Sequence, residues 1–379
     1  MCIFHYKHID MKHRNKILFI HNTLPEYRIQ FFCELVNFVD LTLVITDQGL
    51  ASSIYKLDSI VPSCLKVIYL KKTNEIKEII VSNCWDIVVL PPIDNFYQLK
   101  SAIKALKICK TKNIKTVYWT EKWEPANIFQ PFVKKIKNKV QAFLIGYLAN
   151  NVDLCIAAGE MSKRYYLANG ISSAKIMIAI DSSTSPDVPE KIDIRSLYNI
   201  PKESNIILFL SRVVKRKGAD ILFKAVSLLN DQNNYLLICG EGDYLDKVKE
   251  MSKSLLRTNV IFTGKIQPNQ RAAYFAQSDV FVLPSYTCEG VIEAWGLTCN
   301  EALEQGTPVI ATTAVGAAHD LADGKCCLMV EENNVEALAE ALRQILSEEN
   351  LEKCCKERYA LFSVRQMAES FYKAFNSIM

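Results

Sequence analysis

The chain has 379 residues, 50% hydrophobic and 23% charged, a balance that excludes a disordered or fibrous polypeptide and predicts two domains. Its net charge of +4, from 45 basic and 41 acidic residues, excludes a chain built mainly to coat nucleic acid. Thirteen cysteines include no Cys-x-x-Cys, so no zinc ribbon or thioredoxin-type motif is readable; they are expected to be reduced thiols of a cytosolic protein, without an assigned role.

The first fifteen residues are polar and mixed and hold His5, His8 and His13. They lack the apolar centre of a signal peptide, and Met11 offers an alternative start. Apolar runs then alternate with helical periodicity. Ile17–Ile20, Leu41–Ile45, Val67–Leu70, Ile87–Leu90, Lys115–Trp119 and Leu154–Ala157 read as buried strands, with helices such as Arg28–Phe38 and Phe96–Thr111 between them. The segment 181–190 is rich in Ser, Pro and Asp and reads as a linker. A second series follows: Ile206–Leu210, Tyr235–Cys239, Val260–Thr263, Val280–Leu283, Val309–Ala311 and Cys327–Val330. The expected fold is α/β, two doubly wound Rossmann-like domains at 12–185 and 196–358, with a helix at about 360–379 packing back on the first. Ligands of such sheets bind beyond the carboxyl ends of the strands, so the cleft between the domains is the expected site.

The longest uncharged stretches, such as Val140–Val152 and Gln305–Ala318, fall short of the ~20 residues that span a bilayer. A cytoplasmic protein is expected, peripheral on the inner face of the plasma membrane if it touches lipid at all. Charge is uneven. Residues 101–150 carry ten Lys and two Glu, and residues 301–350 carry ten acidic and two basic residues. The basic block Lys134-Lys135-Ile136-Lys137-Asn138-Lys139 precedes the apolar run Val140–Ala149. It reads either as a solvated helix face or as a surface for anionic lipid.

One stretch is rich in chemistry. A strand ends at Pro284, and a helix starts near Gly296–Leu297 and ends near Gln305–Gly306. Glu293 precedes that helix, and Glu301 is expected on its second turn. The amides of Gly296, Leu297 and Thr298 would crown a helix N-terminus, which suits phosphate. After the strand Ile206–Leu210, Arg212 and Lys217 stand at the carboxyl end, where two cations can neutralise a diphosphate. Lys215 and Arg216 read as a solvated turn. Gly240-Glu241-Gly242 lacks the third glycine of a dinucleotide fingerprint. Only His21 and His319 lie in the folded body, too few for a Ser–His–Asp or multi-histidine metal mechanism.

Arg212-x4-Lys217-Gly218 followed by Glu293-Ala-Trp-Gly-Leu-Thr-Cys-Asn-Glu301, with the glycine turns in order between them, resembles the nucleotide-sugar domain of retaining GT-B glycosyltransferases of family 4, group 1. The resemblance implies that Arg212 and Lys217 hold the donor diphosphate. It implies that the amides of Gly296, Leu297 and Thr298 support the distal phosphate, and that Glu301 takes the ribose hydroxyls. Glu293 would orient the transferred sugar, and the backbone near Ile266 would read the base. A UDP-sugar donor and a glycan or polyprenyl-linked acceptor are implied, as in bacterial surface polysaccharide synthesis, without metal or other cofactor. The first domain matches loosely. Its loop His21–Arg28 has no glycine, and Glu121, in Trp119-Thr120-Glu121-Lys122-Trp123, and Arg28 are the candidates for acceptor or sugar contact. A sugar-nucleotide epimerase on the same fold, or a non-catalytic nucleotide- or glycan-binding subunit, remain alternatives.

Overall fold

The computed structural model describes residues 14–46, 61–70, 75–93, 96–124, 132–185, 191–253 and 259–379. His5, His8, Met11, His13 and residues 186–190 of the expected linker lie outside the described residues.

Two parallel sheets organise the chain. The first contains β1 (Lys16–His21), β2 (Asp40–Ile45), β3 (Lys66–Tyr69), β4 (Ile87–Leu90), β5 (Lys115–Thr120), β6 (Leu154–Ala157) and β7 (Ile176–Ile178), in the order β3-β2-β1-β4-β5-β6-β7. The second contains β8 (Asn205–Leu210), β9 (Asn234–Cys239), β10 (Asn259–Gly264), β11 (Val280–Leu283), β12 (Val309–Thr312) and β13 (Cys327–Val330), in the order β10-β9-β8-β11-β12-β13. Each sheet reverses direction beside its first strand, the doubly wound arrangement that opens a crevice at the carboxyl ends. Register is continuous in the β1–β2 and β8–β9 pairs: Lys16 pairs with Asp40 and His21 with Ile45, and Asn205 pairs with Asn234 and Leu210 with Cys239.

The strands are unbroken apolar runs because helices cover both faces. Ile87–Leu90 and Val280–Leu283 are buried at every residue. β7 escaped the sequence reading because three residues carry too little periodicity to register.

The C-terminal helix Val364–Asn376 leaves the second domain and packs on the first. Ser363 caps it by accepting from the Gln366 amide. Its Val364, Met367, Phe371, Ala374 and Phe375 form one buried face. Phe371 meets Phe31 of the helix Glu26–Val36 at 4.9 Å and Trp119 at 5.4 Å, ring centre to ring centre. Burial of two phenylalanines of this kind contributes on the order of several kcal/mol, so this crossing is a structural tie rather than a tail.

Candidate active site

The loop after β8 is shaped by glycines that lie elsewhere in the sequence. A Cβ on Gly240 would stand 1.9 Å from the Ser211 carbonyl oxygen, and one on Gly242 2.2 Å from that of Val213. Val213 N donates to Glu241 O, and Tyr244 N donates to Val213 O. The Gly240–Gly242 turn is therefore a bed for the Arg212 loop. Gly218 has φ +72°, and its Cβ would lie 2.0 Å from the Pro284 oxygen. Only glycine lets Lys217 come this close to the end of β11.

Lys217 is buried, and its Nζ stands 2.5 Å from Glu293 Oε2. Arg216 Nη1 donates to the same oxygen at 2.8 Å. Lys215 is exposed, as the sequence suggests, but Arg216 is not the solvated residue expected; it is a second clamp on Glu293. Arg212 is exposed and close enough to act on Lys217 through its charge. Burial pulls the Lys217 ammonium below its ordinary range, and the neighbouring carboxylate only partly restores it. Burial alone would raise the Glu293 carboxyl, but Lys217 and Arg216 reverse that and hold it below the usual range. Its backbone is fixed as well: Glu293 N donates to Ala314 O, and Gly316 N donates to Glu293 O.

The next helix is Thr298–Glu304, with Gly306 at φ +87° closing it. Because it begins at Thr298, Glu301 lies in its first turn rather than the expected second. Gly296 has φ +104°, and a Cβ there would meet Leu283 and Val315 within 2.9 Å, so the helix start is drawn close to the carboxyl ends of β11 and β12. Glu301 is 3% exposed. It pairs with Arg271 and accepts from Ser183 Oγ at 3.2 Å. Burial raises its carboxyl above the ordinary value, against the opposing charge of Arg271. Ile266 is half-buried on the loop that follows β10 and leads to Arg271.

Neither Arg271 nor Ser183 is legible as a site residue, because both reach Glu301 through space rather than by spacing. Ser183 lies in the segment read as a linker. Its described part is docked, not loose: Asn300 donates to Ser182 Oγ, Ser185 N donates to Glu304 at 2.7 Å, and Thr184 donates to the same carboxylate.

The first domain supplies the facing wall. Arg28 is 2% exposed and ion-paired with both Asp181 and Glu121, over the Trp119 ring at 5.0 Å. Arg28, enclosed in this way, positions Glu121. Glu121 is the solvent-facing member, with 36% of its side chain exposed. Trp123 Nε1 donates to Ala294 O at 2.9 Å, joining this wall to the residue beside Glu293. Asp320 accepts from the Glu160 amide at 3.1 Å, a second bridge. His21 is half-buried, and desolvation pushes it down to about 4. His319 Nε2 is bonded to Thr313 O and its ring packs on Trp123.

Two Rossmann-like domains, with a charge-clamped carboxylate and a helix start at the carboxyl ends of the second sheet, form the GT-B fold. Residues 190–360, the second domain, match the family described as glycosyl transferases group 1. The chain is 26% identical over 282 residues to an uncharacterised 41.2 kDa protein of the cps region of Klebsiella pneumoniae, covering 73% of this chain and 75% of that one. It is 31% identical over 170 residues to a GDP-mannose-dependent phosphatidylinositol monomannoside mannosyltransferase of Mycolicibacterium smegmatis, covering 43% of this chain and 44% of that protein. Among solved structures, Anabaena HepE in complex with UDP and glucose superposes with a TM-score of 0.70 at 15% identity, over 96% of this chain and 100% of that one. Among the described residues no helix is long and apolar enough to cross a membrane.

Proposed function

We propose that the protein transfers a hexosyl group, with retention, from a UDP-sugar to a glycan or polyprenyl-linked saccharide during assembly of a bacterial surface polysaccharide. The observation that carries the reading is the Lys217–Glu293–Arg216 clamp opposite the Trp123 wall. In this reading Arg212 and Lys217 bind the diphosphate, with the amides of Gly296, Leu297 and Thr298 beneath it. Glu301 takes the ribose and the backbone near Ile266 the base. Glu293 orients the sugar, and Glu121 faces the acceptor. The anomeric C–O bond to the diphosphate breaks as the acceptor oxygen bonds the same carbon. The acceptor proton passes to the departing phosphate oxygen, and the fixed cations offset the developing charge. The second domain's Glu293 and Glu301 are already matched by cations, which suits an anionic diphosphate better than a divalent metal.

The neighbour with UDP and glucose supports the donor class, and the cps-region relative supports the polysaccharide. The mannosyltransferase relative makes GDP-mannose the donor to compete against. Thermal shift with UDP-, GDP- and dTDP-sugars, with and without added Mg²⁺, tests base and metal dependence together. Transfer with a UDP-sugar followed by NMR of the product anomer tests retention. Stabilisation by GDP-mannose alone, or an inverted product, overturns the respective part. A changed sugar-nucleotide formed without acceptor would favour an epimerase.

The helix Phe132–Asn151 supports membrane docking. Ile136, Val140, Phe143 and Tyr147 form an exposed stripe at helical spacing, Phe143 at 73% exposure, beside exposed Lys135 and Lys139. The side chains of Lys134 and Lys137 lie outside the described residues. Co-sedimentation with anionic vesicles should fall when Phe143→Glu is introduced and when salt is raised. Equal recovery with neutral vesicles would refute electrostatic docking.

A further inference from the structure

The fold brings two distant Cys–Cys dipeptides together. Cys326-Cys327 opens β13, and Cys354-Cys355 lies on the helix Leu351–Leu361. Cys326 and Cys354 place their Sγ atoms 2.9 Å apart. Asp323 Oδ2 lies 3.3 Å from the first sulfur and 3.8 Å from the second. The other carboxylate oxygen, Oδ1, accepts from the amides of Lys325 and Cys327 at 2.9 and 3.0 Å, which fixes the carboxylate with Oδ2 toward the sulfurs.

We propose that Asp323, Cys326 and Cys354 form a binding site for one zinc-class divalent cation that fastens the helix Leu351–Leu361 to the loop before β13. The three donor atoms lie within 4.8 Å of one another. A tetrahedral zinc ion with bonds of about 2.3 Å to sulfur and 2.0–2.2 Å to oxygen sets S···O near 3.5 Å and S···S near 3.8 Å. The two S···O distances already bracket that value, so loading requires the sulfurs to part by about 1 Å. Cys354, half-buried, is the side chain with room to turn, while Cys326 is buried. Two thiolates with one carboxylate select a zinc-class ion over magnesium or calcium. Binding expels the two thiol protons. The resulting three negative charges are offset by the ion and by Arg358, whose guanidinium donates to the carbonyls of Asp320 and Leu321 nearby and acts on Asp323 through its charge. Half-burial of Asp323 and Cys354 leaves a solvent-side position for water as the fourth ligand.

The site lies at the amino end of β13, whereas the cleft is built at carboxyl ends, so the inference stands independently of the transfer reaction. The helix it fastens leads directly into Val364–Asn376, the helix that crosses to the first domain. The test uses the full chain, purified in reductant without chelator, incubated with Zn²⁺, desalted and analysed for metal, with Co²⁺ as a spectroscopic probe. One zinc per chain and a thiolate-to-cobalt charge-transfer band are expected. Both should be lost in Cys326→Ser and in Cys354→Ala and kept in Cys84→Ser, an exposed cysteine elsewhere. Circular dichroism checks that the variants fold; Cys354→Ala, at the less buried position, carries the test if Cys326→Ser does not. No retained zinc in the reduced chain, or full stoichiometry in folded Cys354→Ala, overturns the site. So does a Cys326–Cys354 disulfide in fresh protein whose reduced form binds no metal.

Discussion

Replacing Lys217 by Met removes the charge that compensates Glu293 while keeping most of the side-chain volume. The two side chains are 9% and 17% exposed and 2.5 Å apart. Removing one partner of a buried pair costs about 3–5 kcal/mol, because the other charge is left uncompensated. Arg216 remains at 2.8 Å from the same oxygen, so the expected loss falls to about 2–3 kcal/mol. A domain of this size then melts roughly 5–10 °C lower. The deficit depends on pH. In the native protein the Glu293 carboxyl is held below its ordinary value, so its contribution is present above the unfolded pKa and is lost as pH falls. In Lys217→Met the burial that raises it is opposed by Arg216 alone, so the carboxyl moves up and ionising it costs stability as pH rises. The gap between variant and wild type should therefore narrow from pH 7 toward about pH 4. Adding Glu293→Gln should recover part of the loss, a coupling of about 0.5–3 kcal/mol. Transfer should stay about 10²–10³-fold down in both, because the diphosphate has lost its cation. Urea denaturation at two pH values, with a transfer assay, measures all three. A single variant within about 0.5 kcal/mol of wild type at pH 7, or strictly additive effects, would refute the clamp.

Glu301→Ala should weaken nucleoside diphosphate binding roughly 10- to 150-fold by calorimetry, the worth of hydrogen bonds to a charged group at about 1.5–3 kcal/mol; unchanged affinity would remove the ribose role. Gly218→Ala combines a left-handed φ with a Cβ 2.0 Å from the Pro284 oxygen, so a loss of at least about 1–3 kcal/mol and of transfer is expected; an unshifted melting temperature would contradict the packing. Asp320 is pushed up to about 6, chiefly by burial. Its contribution is therefore present at low pH and lost as pH rises through about 6. Asp320→Asn should flatten the urea midpoint between pH 5 and 7, and a parallel profile would count against it.

The sequence exposes what is local. Parallel strands covered on both faces are continuous apolar runs, so Ile87–Leu90 and Val280–Leu283 stand out, whereas Ile176–Ile178 is too short to do so. Arg212, Lys217, Glu293 and Glu301 are recognisable because their spacing is set by single loops. Arg216, Arg271 and Ser183 are not, because each becomes a site residue only through an ion pair or hydrogen bond that closes between 30 and 118 positions away. Nor does a Ser- and Pro-rich composition distinguish a free linker from one whose hydroxyls are spent on a helix.

That docked segment gives the two halves of the cleft a common frame. Asp181 anchors it to Arg28, and hence to Glu121, in the first domain. Two residues on, Ser183 donates to Glu301 and to the Leu297 carbonyl in the second. Asp181 is itself fully buried, and its ion pair with Arg28 is the kind that tolerates little displacement. Three consecutive residues thus link Glu121 to Glu301, beside the C-terminal helix that also joins the two domains. The more distant bridges, Trp123 to Ala294 and Asp320 to Glu160, are single contacts in which the acceptor is a carbonyl or the donor an amide. Such neutral or singly charged bonds contribute about 0.5–3 kcal/mol each.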